Sequence, residues 1–268
     1  MKKIEVFYHF YIPPDIRASN WSWWVDYQLS AIRKSKLSDV SIVNMVITMP
    51  DEWTTFFGSW YTKNGKDYAR FEVPDDERLN FGGKVREYIN ARYPFVNILE
   101  IRSTERNSNL YEGITLDILY KRCQVDDIHV LYMNNKGISG TTSSPATLNW
   151  LEALTYFFTE RWAFCINKLD DYDMIGMKDG GASNEKVFSG NFWWARSEYI
   201  RKLPEPLDST TYMQGYSEIG PGQKHYRYSF EHWPVAGQPN AYYFDTKTNH
   251  YNEYFFLEDY LKNNSLEY

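Results

Sequence analysis

Over its first 140 residues the chain alternates short β-branched and aromatic runs with stretches of helical period, and that alternation limits what it can fold into. Residues 4–11 (IEVFYHFY), 40–48 (VSIVNMVIT), 95–102 (FVNILEIR) and 127–133 (DIHVLYM) read as four strands. Helices fit between them: one capped by Asn20 and running to about residue 35, one over 79–92 and one over 110–123. Turn signals at Pro13-Pro14 and Asn64-Gly65 separate these runs, with a small strand near 69–73. Strands and helices in this order place helices on the faces of a largely parallel sheet. The expected fold class is therefore α/β, a Rossmann-like central mixed sheet flanked by helices.

Past residue 140 the longest helix spans 148–169, with Leu154, Phe158, Trp162, Cys165 and Leu169 on one face. A short strand at 173–177, a compact element at 188–200, a Gly/Pro-rich loop near 208–224 and a helix around 252–262 complete the chain. With no internal repeat and no linker, residues 1–268 read as one domain, its halves being 1–140 and 141–268. In open α/β sheets a ligand sits outside the carboxyl ends of the strands. That rule points to residues 9–12, 48–51, 102–106 and 133–137.

Several function classes are poorly served by these residues. A net charge of −6 with no extended Lys/Arg run gives no footprint for a nucleic-acid backbone. Neither GxxxxGKS/T nor GxGxxG occurs, so no P-loop or dinucleotide fingerprint is present. Five scattered histidines and the absence of HExxH argue against a zinc site built by the protein. The opening MKKIEVFYHFYIPP is strand-like rather than a signal peptide, and no run reaches the roughly 18 apolar residues of a membrane span. Cys123 and Cys165 read as reduced core thiols. The expected location is the cytoplasm.

The aromatic content is 18%, with 23 Tyr, 16 Phe and 10 Trp. Flat faces with polar tips suit partly wet clefts as well as cores. In FSGNFWWARSEYI, Ser189, Gly190 and Asn191 precede Phe192, Trp193 and Trp194. That order suits either a sugar subsite or a core strand with a polar lead-in. If the segment is extended, one tryptophan faces a cleft and the other packs inward. At the end of the fourth strand, Asn134, Asn135 and Lys136 offer amides and an ammonium to a diphosphate, or form an ordinary turn. Asp171 and Asp173 form an Asp-x-Asp that either binds a cation or is a solvated loop. Glu231, between Phe230 and His232-Trp233, is the candidate general base. Glu112 opens a helix, where the dipole alone favours an acid.

Three blocks together resemble a known family. LYEGITLDILY before VLYMNNKG, then NWLEALTYFFTERWAFCINKL, then FSGNFWWARSEYIRKLP with YRYSFEHW, are similar to GT-A-type glycosyltransferases of bacterial surface-polysaccharide loci and of chloroviruses, where relatives decorate the capsid glycoprotein. The resemblance covers about residues 4–235. It implies a GT-A-like fold with a nucleotide-sugar-binding half at 1–140 and an acceptor-binding half at 141–268. The implied donor is a nucleotide-diphosphate sugar, UDP-linked, and the acceptor a glycan or glycoprotein. His9 to Tyr11 would border the nucleoside, and Asn134, Asn135 and Lys136 would hold the diphosphate. Ser189, Gly190, Asn191, Trp193 and Trp194 would shape the sugar subsites, and Glu231 would be the base, with Asp173 second. Such enzymes often hold Mn2+ or Mg2+ on the diphosphate with Asp-x-Asp at the end of the fourth strand. Here Asn134-Asn135-Lys136-Gly137 stands at that place, so Lys136 would neutralise part of the leaving-group charge. A glycan-binding protein without turnover and a glycoside hydrolase are the competing classes.

Overall fold

The computed structural model describes residues 2–12, 21–50, 54–55, 61–63, 66–68, 71–72, 75–104, 112–135, 145–178, 187–208, 229–247, 253 and 255–263. In chain order the elements begin with β1 (Lys3–Tyr11), α1 (Trp21–Lys34), α2 (Leu37–Val40) and β2 (Ser41–Pro50). Four short strands follow, β3 (Thr54–Thr55), β4 (Tyr61–Lys63), β5 (Lys66–Tyr68) and β6 (Phe71–Glu72). Next come α3 (Asp75–Arg92), β7 (Val96–Thr104), α4 (Gly113–Val125), β8 (Ile128–Asn134) and α5 (Pro145–Thr155). The remaining elements are α6 (Trp162–Lys168), β9 (Met174–Lys178), β10 (Trp193–Arg196), α7 (Ser197–Ile200), α8 (Ser229–His232), β11 (Ala241–Asp245) and α9 (Leu257–Asn263).

Seven strands form one sheet in the order β11-β9-β10-β8-β1-β2-β7, so both halves of the chain contribute to it. β10 runs antiparallel to β8 and β9, while β1, β2, β7 and β8 are mutually parallel and β11 is parallel to β9. The fold is thus α/β, a mixed central sheet with helices against it. β1 and β8 lie in the middle and are buried on both faces, which is why their sequences are nearly continuous apolar runs.

Side-chain alternation splits the core in two. Ile4, Val6, Tyr8 and Phe10 of β1, Leu131 and Met133 of β8 and Trp194 of β10 pack with α1, α3, α5 and α6. Phe7, Val130, Tyr132 and Trp193 face the other way, against Leu116 and Leu119 of α4, Tyr199 of α7 and Phe230 of α8. Cys123 and Cys165 are buried and free of disulfide bonding. Among the described residues, no helix is long and apolar enough to cross a membrane.

Several expectations need adjustment. The helix foreseen over 148–169 is broken by a π turn at Tyr156–Glu160, closed by the Arg161 N–H on the Tyr156 carbonyl at 3.0 Å. Widening the ladder leaves carbonyls for other donors: Phe158 O accepts from Trp194 Nε1 at 2.9 Å, and Phe157 O from Cys165 Sγ at 3.3 Å. β11 went unforeseen because AYYFD is short and sits on an edge, only partly buried. Pro13, Pro14, Asn20, Asn64, Gly65 and nearly all of the 208–224 loop lie outside the described residues.

Candidate functional site

The carboxyl ends of β1 and β8 lie side by side, with His9 in register with Asn134. His9 is 5% exposed. Its Nδ1 pairs with Thr115 Oγ1 at 2.9 Å and its Nε2 lies 3.4 Å from Thr48 Oγ1, so the ring ties β1 to α4 and β2. Burial lowers its pKa to about 3, which keeps the imidazole neutral. His9 therefore stands beneath the strand ends as a neutral spacer.

Asn134 ends β8 and Asn135 follows it, and their side chains take different partners. Asn135 clamps β1 through both backbone groups of Tyr11: the Tyr11 N–H donates to Oδ1 at 3.0 Å, and Nδ2 donates to the Tyr11 carbonyl at 2.6 Å. The side chain thereby extends the β1–β8 ladder by one rung. The Asn134 carbonyl accepts from Gln28 Nε2 at 2.8 Å, and Gln28 Oε1 in turn accepts from the Tyr8 hydroxyl at 2.5 Å. Asn134 Nδ2 meets three oxygens: Gly190 O at 3.2 Å, Glu112 Oε2 at 3.4 Å and Asn191 O at 3.5 Å. Lys136, the next candidate, lies outside the described residues.

Glu112 precedes α4, yet its side chain makes no capping bond to that helix. Instead its Oε2 accepts from the Tyr132 hydroxyl at 2.6 Å. Tyr132 is fully buried, and burial foremost, then the Glu112 carboxylate, then the Glu231 charge, push its pKa well up, so the phenol stays protonated. Glu231 reaches this neighbourhood because α8 packs on the first turn of α4. A Cβ at Gly113 would meet the Phe230 ring at 2.5 Å, so only glycine permits this approach. Glu112, Glu231, Tyr132 and Asn134 thus share one end of the sheet. The period of two along an extended strand puts Tyr132 and Asn134 on one face of β8. Their partnership with Glu112 joins β8 to α4, a contact that spacing along the chain does not reveal.

Ser189, Gly190 and Asn191 form a tight 3-10 turn, with Gly190 at φ 75° and Asn191 at φ 54°. Glycine suits its position because its φ is left-handed and a Cβ would lie 2.6 Å from Leu154. Ser189 Oγ and Asn191 Nδ2 are buried and lack a hydrogen-bond partner. Buried polar atoms of this kind call for an explanation, such as a ligand or an ordered water.

The tryptophans sit differently from the expected one-in, one-out division. Both are fully buried. Trp193 stacks on Tyr132, with centroids 5.2 Å apart, and donates to Asn191 Oδ1 at 2.9 Å. Trp194 enters the other core layer. The segment is extended, and packing covers both of its faces, so neither ring is exposed.

Asp171 and Asp173 are not brought to this end. Asp173 lies just before β9, level with the start of β8, and its carboxylate pairs with Arg196 and accepts from the Asn240 N–H at 3.1 Å. The Asp171 carbonyl accepts from Asn240 Nδ2 at 3.1 Å. The Asp171–Asp173 pair therefore does not fit a cation bound to a diphosphate at the strand ends. Among the described residues, no group of three acidic, histidine or cysteine side chains converges to hold a metal ion.

A separate cavity of about 460 Å3 lies on the α4 face, lined by Phe7, Ile42, Asn44, Leu99 and Ile118. Its acid, Glu5, is 2% exposed and already bound by Arg122 at 2.9 Å, Lys3 at 2.9 Å and Asn44 at 3.1 Å. That carboxylate is spent on structure, and the cavity lies away from the strand ends.

Comparison with solved structures gives distant likenesses. A candidate nucleotide-diphospho-sugar transferase from Desulfovibrio desulfuricans G20 is 10% identical, with 91% of this chain and 80% of that chain covered and a TM-score of 0.35. The 4-diphosphocytidyl-2C-methyl-D-erythritol synthase of Anaerococcus prevotii DSM 20548 is also 10% identical, with 98% and 95% covered and a TM-score of 0.41. No curated protein matches the sequence. A family model does match, over residues 82–255, a span that takes in Glu112, Tyr132, Asn134, the 189–191 turn and Glu231, and the chain belongs to that family, described as a domain of unknown function (DUF8361).

Proposed function

We propose that the chain is a glycosyltransferase that moves a sugar from a nucleotide-diphosphate donor, a UDP-sugar, to a glycan or glycoprotein acceptor. One observation carries this reading. The carboxyl ends of the central strands gather a carboxylate, amide groups and a glycine turn with two orphaned buried polar atoms, at the place where α/β sheets take ligands. The sequence resemblance to GT-A-type enzymes runs through the same residues.

In this reading Asn134 and Lys136 meet the diphosphate, and Tyr11, set by Asn135, borders the nucleoside. The 189–191 turn receives the sugar, its Ser189 hydroxyl and Asn191 amide gaining the partners they lack. The acceptor proton passes to a carboxylate at the Tyr132 end of the site, where Glu231 is the base expected from sequence. Asp173, tied to Arg196, serves the fold.

A calorimetric titration with UDP, followed by a screen of UDP-sugars for hydrolysis and transfer with and without Mn2+, tests the proposal. UDP binding that is lost in Lys136→Ala, with turnover of at least one UDP-sugar, is the expected result. Absence of both binding and turnover under either condition rejects it. Cleavage of a glycan without nucleotide would favour a hydrolase, and glycan binding without turnover a lectin-like protein.

A further inference from the structure

Glu112 behaves unlike an acid placed to favour a helix dipole. It occupies the cap position of the 13-residue α4, where its carbonyl accepts from the Leu116 N–H, but its side chain makes no capping hydrogen bond to that helix. Its Oε2 is held instead by the Tyr132 hydroxyl at 2.6 Å and lies 3.4 Å from Asn134 Nδ2. Both donors come from β8, one of the two most buried strands of the sheet. Asn134 Nδ2 also touches the carbonyls of Gly190 and Asn191, so one amide links this carboxylate to the turn that carries the orphaned Ser189 Oγ and Asn191 Nδ2. The carboxylate is thus fixed in orientation and joined through Asn134 to a turn that carries two buried polar groups without partners.

We propose that Glu112 is the catalytic base of the transfer, oriented by Tyr132 and Asn134; this assignment rests on the glycosyltransferase reading above. The acceptor O–H bond breaks as its proton moves to the Glu112 carboxylate. The acceptor oxygen forms a bond to the anomeric carbon, and the bond from that carbon to the diphosphate oxygen breaks, its electron pair leaving with the nucleoside diphosphate. A carboxylate offers about four acceptor sites, so the bonds from Tyr132 and Asn134 do not preclude an acceptor hydroxyl. Glu231, on the four-residue α8, contributes negative charge to the same neighbourhood. Its removal affects the reaction less than removal of Glu112.

The experiment compares wild type, Glu112→Gln, Glu112→Asp, Glu231→Gln and Tyr132→Phe. For each, UDP affinity, kcat and KM on the turned-over UDP-sugar and the thermal unfolding midpoint are measured. Glu112→Gln is expected to lower kcat by about 10²–10⁴-fold, the usual contribution of a general base, with UDP affinity unchanged. Glu112→Asp is expected to keep intermediate activity, and Glu231→Gln to lose less than Glu112→Gln. Tyr132→Phe removes a hydrogen bond to the charged carboxylate, so the acidic limb of its kcat/KM profile is expected to move to higher pH. Transfer by Glu112→Gln within about threefold of wild type overturns the assignment and leaves the transferase reading standing. If Glu112→Gln does not fold, full activity in Glu112→Asp with an unshifted profile in Tyr132→Phe overturns it equally. If wild type itself neither binds UDP nor turns over a UDP-sugar, the transferase reading falls, and this assignment falls with it.

Discussion

The Tyr132 hydroxyl donates to Glu112 Oε2 at 2.6 Å across the junction of a central strand and the start of a helix. It joins the second core layer to the strand ends, because the other side of Tyr132 is stacked on Trp193. Packing of the aromatic layer and orientation of the carboxylate are therefore coupled through one side chain.

Gly113 tests how that junction is assembled. A methyl group there would lie 2.5 Å from the Phe230 ring and 3.0 Å from Leu207. Gly113→Ala is expected to push α8 off α4 and to cost about 1–3 kcal/mol, as overpacking does. Equilibrium denaturation measures the loss, and an unchanged midpoint would show that α8 does not seat where described. Because α8 carries Glu231, any activity should fall further than the lost stability alone explains.

Asn135 gives a second test, independent of catalysis. Its side chain satisfies both the N–H and the carbonyl of Tyr11. Asn135→Ala removes both hydrogen bonds, each of which contributes about 0.5–1.5 kcal/mol. Asn135→Asp is expected to remain destabilised, since a carboxylate can accept from the N–H but faces the carbonyl without a proton to donate. If the aspartate variant matches wild type in denaturant, the clamp is not formed as described.

How much of this was legible in the sequence depends on the range of the contact. The central strands announced themselves because strands buried on both faces are continuous apolar runs, as in IEVFYHFY. The rule for parallel sheets then led to His9, Tyr11, Asn134 and Asn135. The roles of these four are set by partners distant along the chain, such as Thr115 for His9, Asn135 for Tyr11 and Gly190 for Asn134, and one sequence cannot display such pairings. Glu112 was hidden for a different reason: an acid before a helix has an ordinary electrostatic explanation, and only its turn toward Tyr132 separates the two readings.

Buried imidazole makes stability depend on pH. The folded protein holds His9 at a pKa of about 3 against an ordinary 6.5, chiefly through burial, and His129 at about 4 for the same leading reason. The unfolded chain therefore takes up these protons first as pH falls. Stability from this source is complete above pH 6.5 and declines between about 6.5 and 3, with His9 contributing a slope of up to about 1.4 kcal/mol per pH unit. Urea midpoints at pH 7, 6, 5 and 4 measure the slope. His9→Gln retains hydrogen-bonding capacity toward Thr48 and Thr115 but does not titrate, so its slope should be shallower. An unaltered slope would remove His9 as the source.

The tryptophan pair separates packing from recognition. Trp193 and Trp194 are both fully buried, one bonded to Asn191 Oδ1 and the other to Phe158 O, each at 2.9 Å. Truncating a buried Trp to Ala typically costs about 3–5 kcal/mol, enough to unfold a marginal domain. Phenylalanine is the more informative replacement, because it keeps most of the buried surface and removes the indole N–H. Trp194→Phe strands the Phe158 carbonyl inside the π turn but breaks no hydrogen bond of the 189–191 turn, and should lower stability by about 1–3 kcal/mol without changing ligand affinity. Trp193→Phe should do more, because it also releases Asn191, whose carbonyl meets Asn134. Affinity for any bound nucleotide sugar is then expected to fall in Trp193→Phe alone. Equal losses of affinity in both variants would mean that both rings act on the ligand, and the buried arrangement would be refuted.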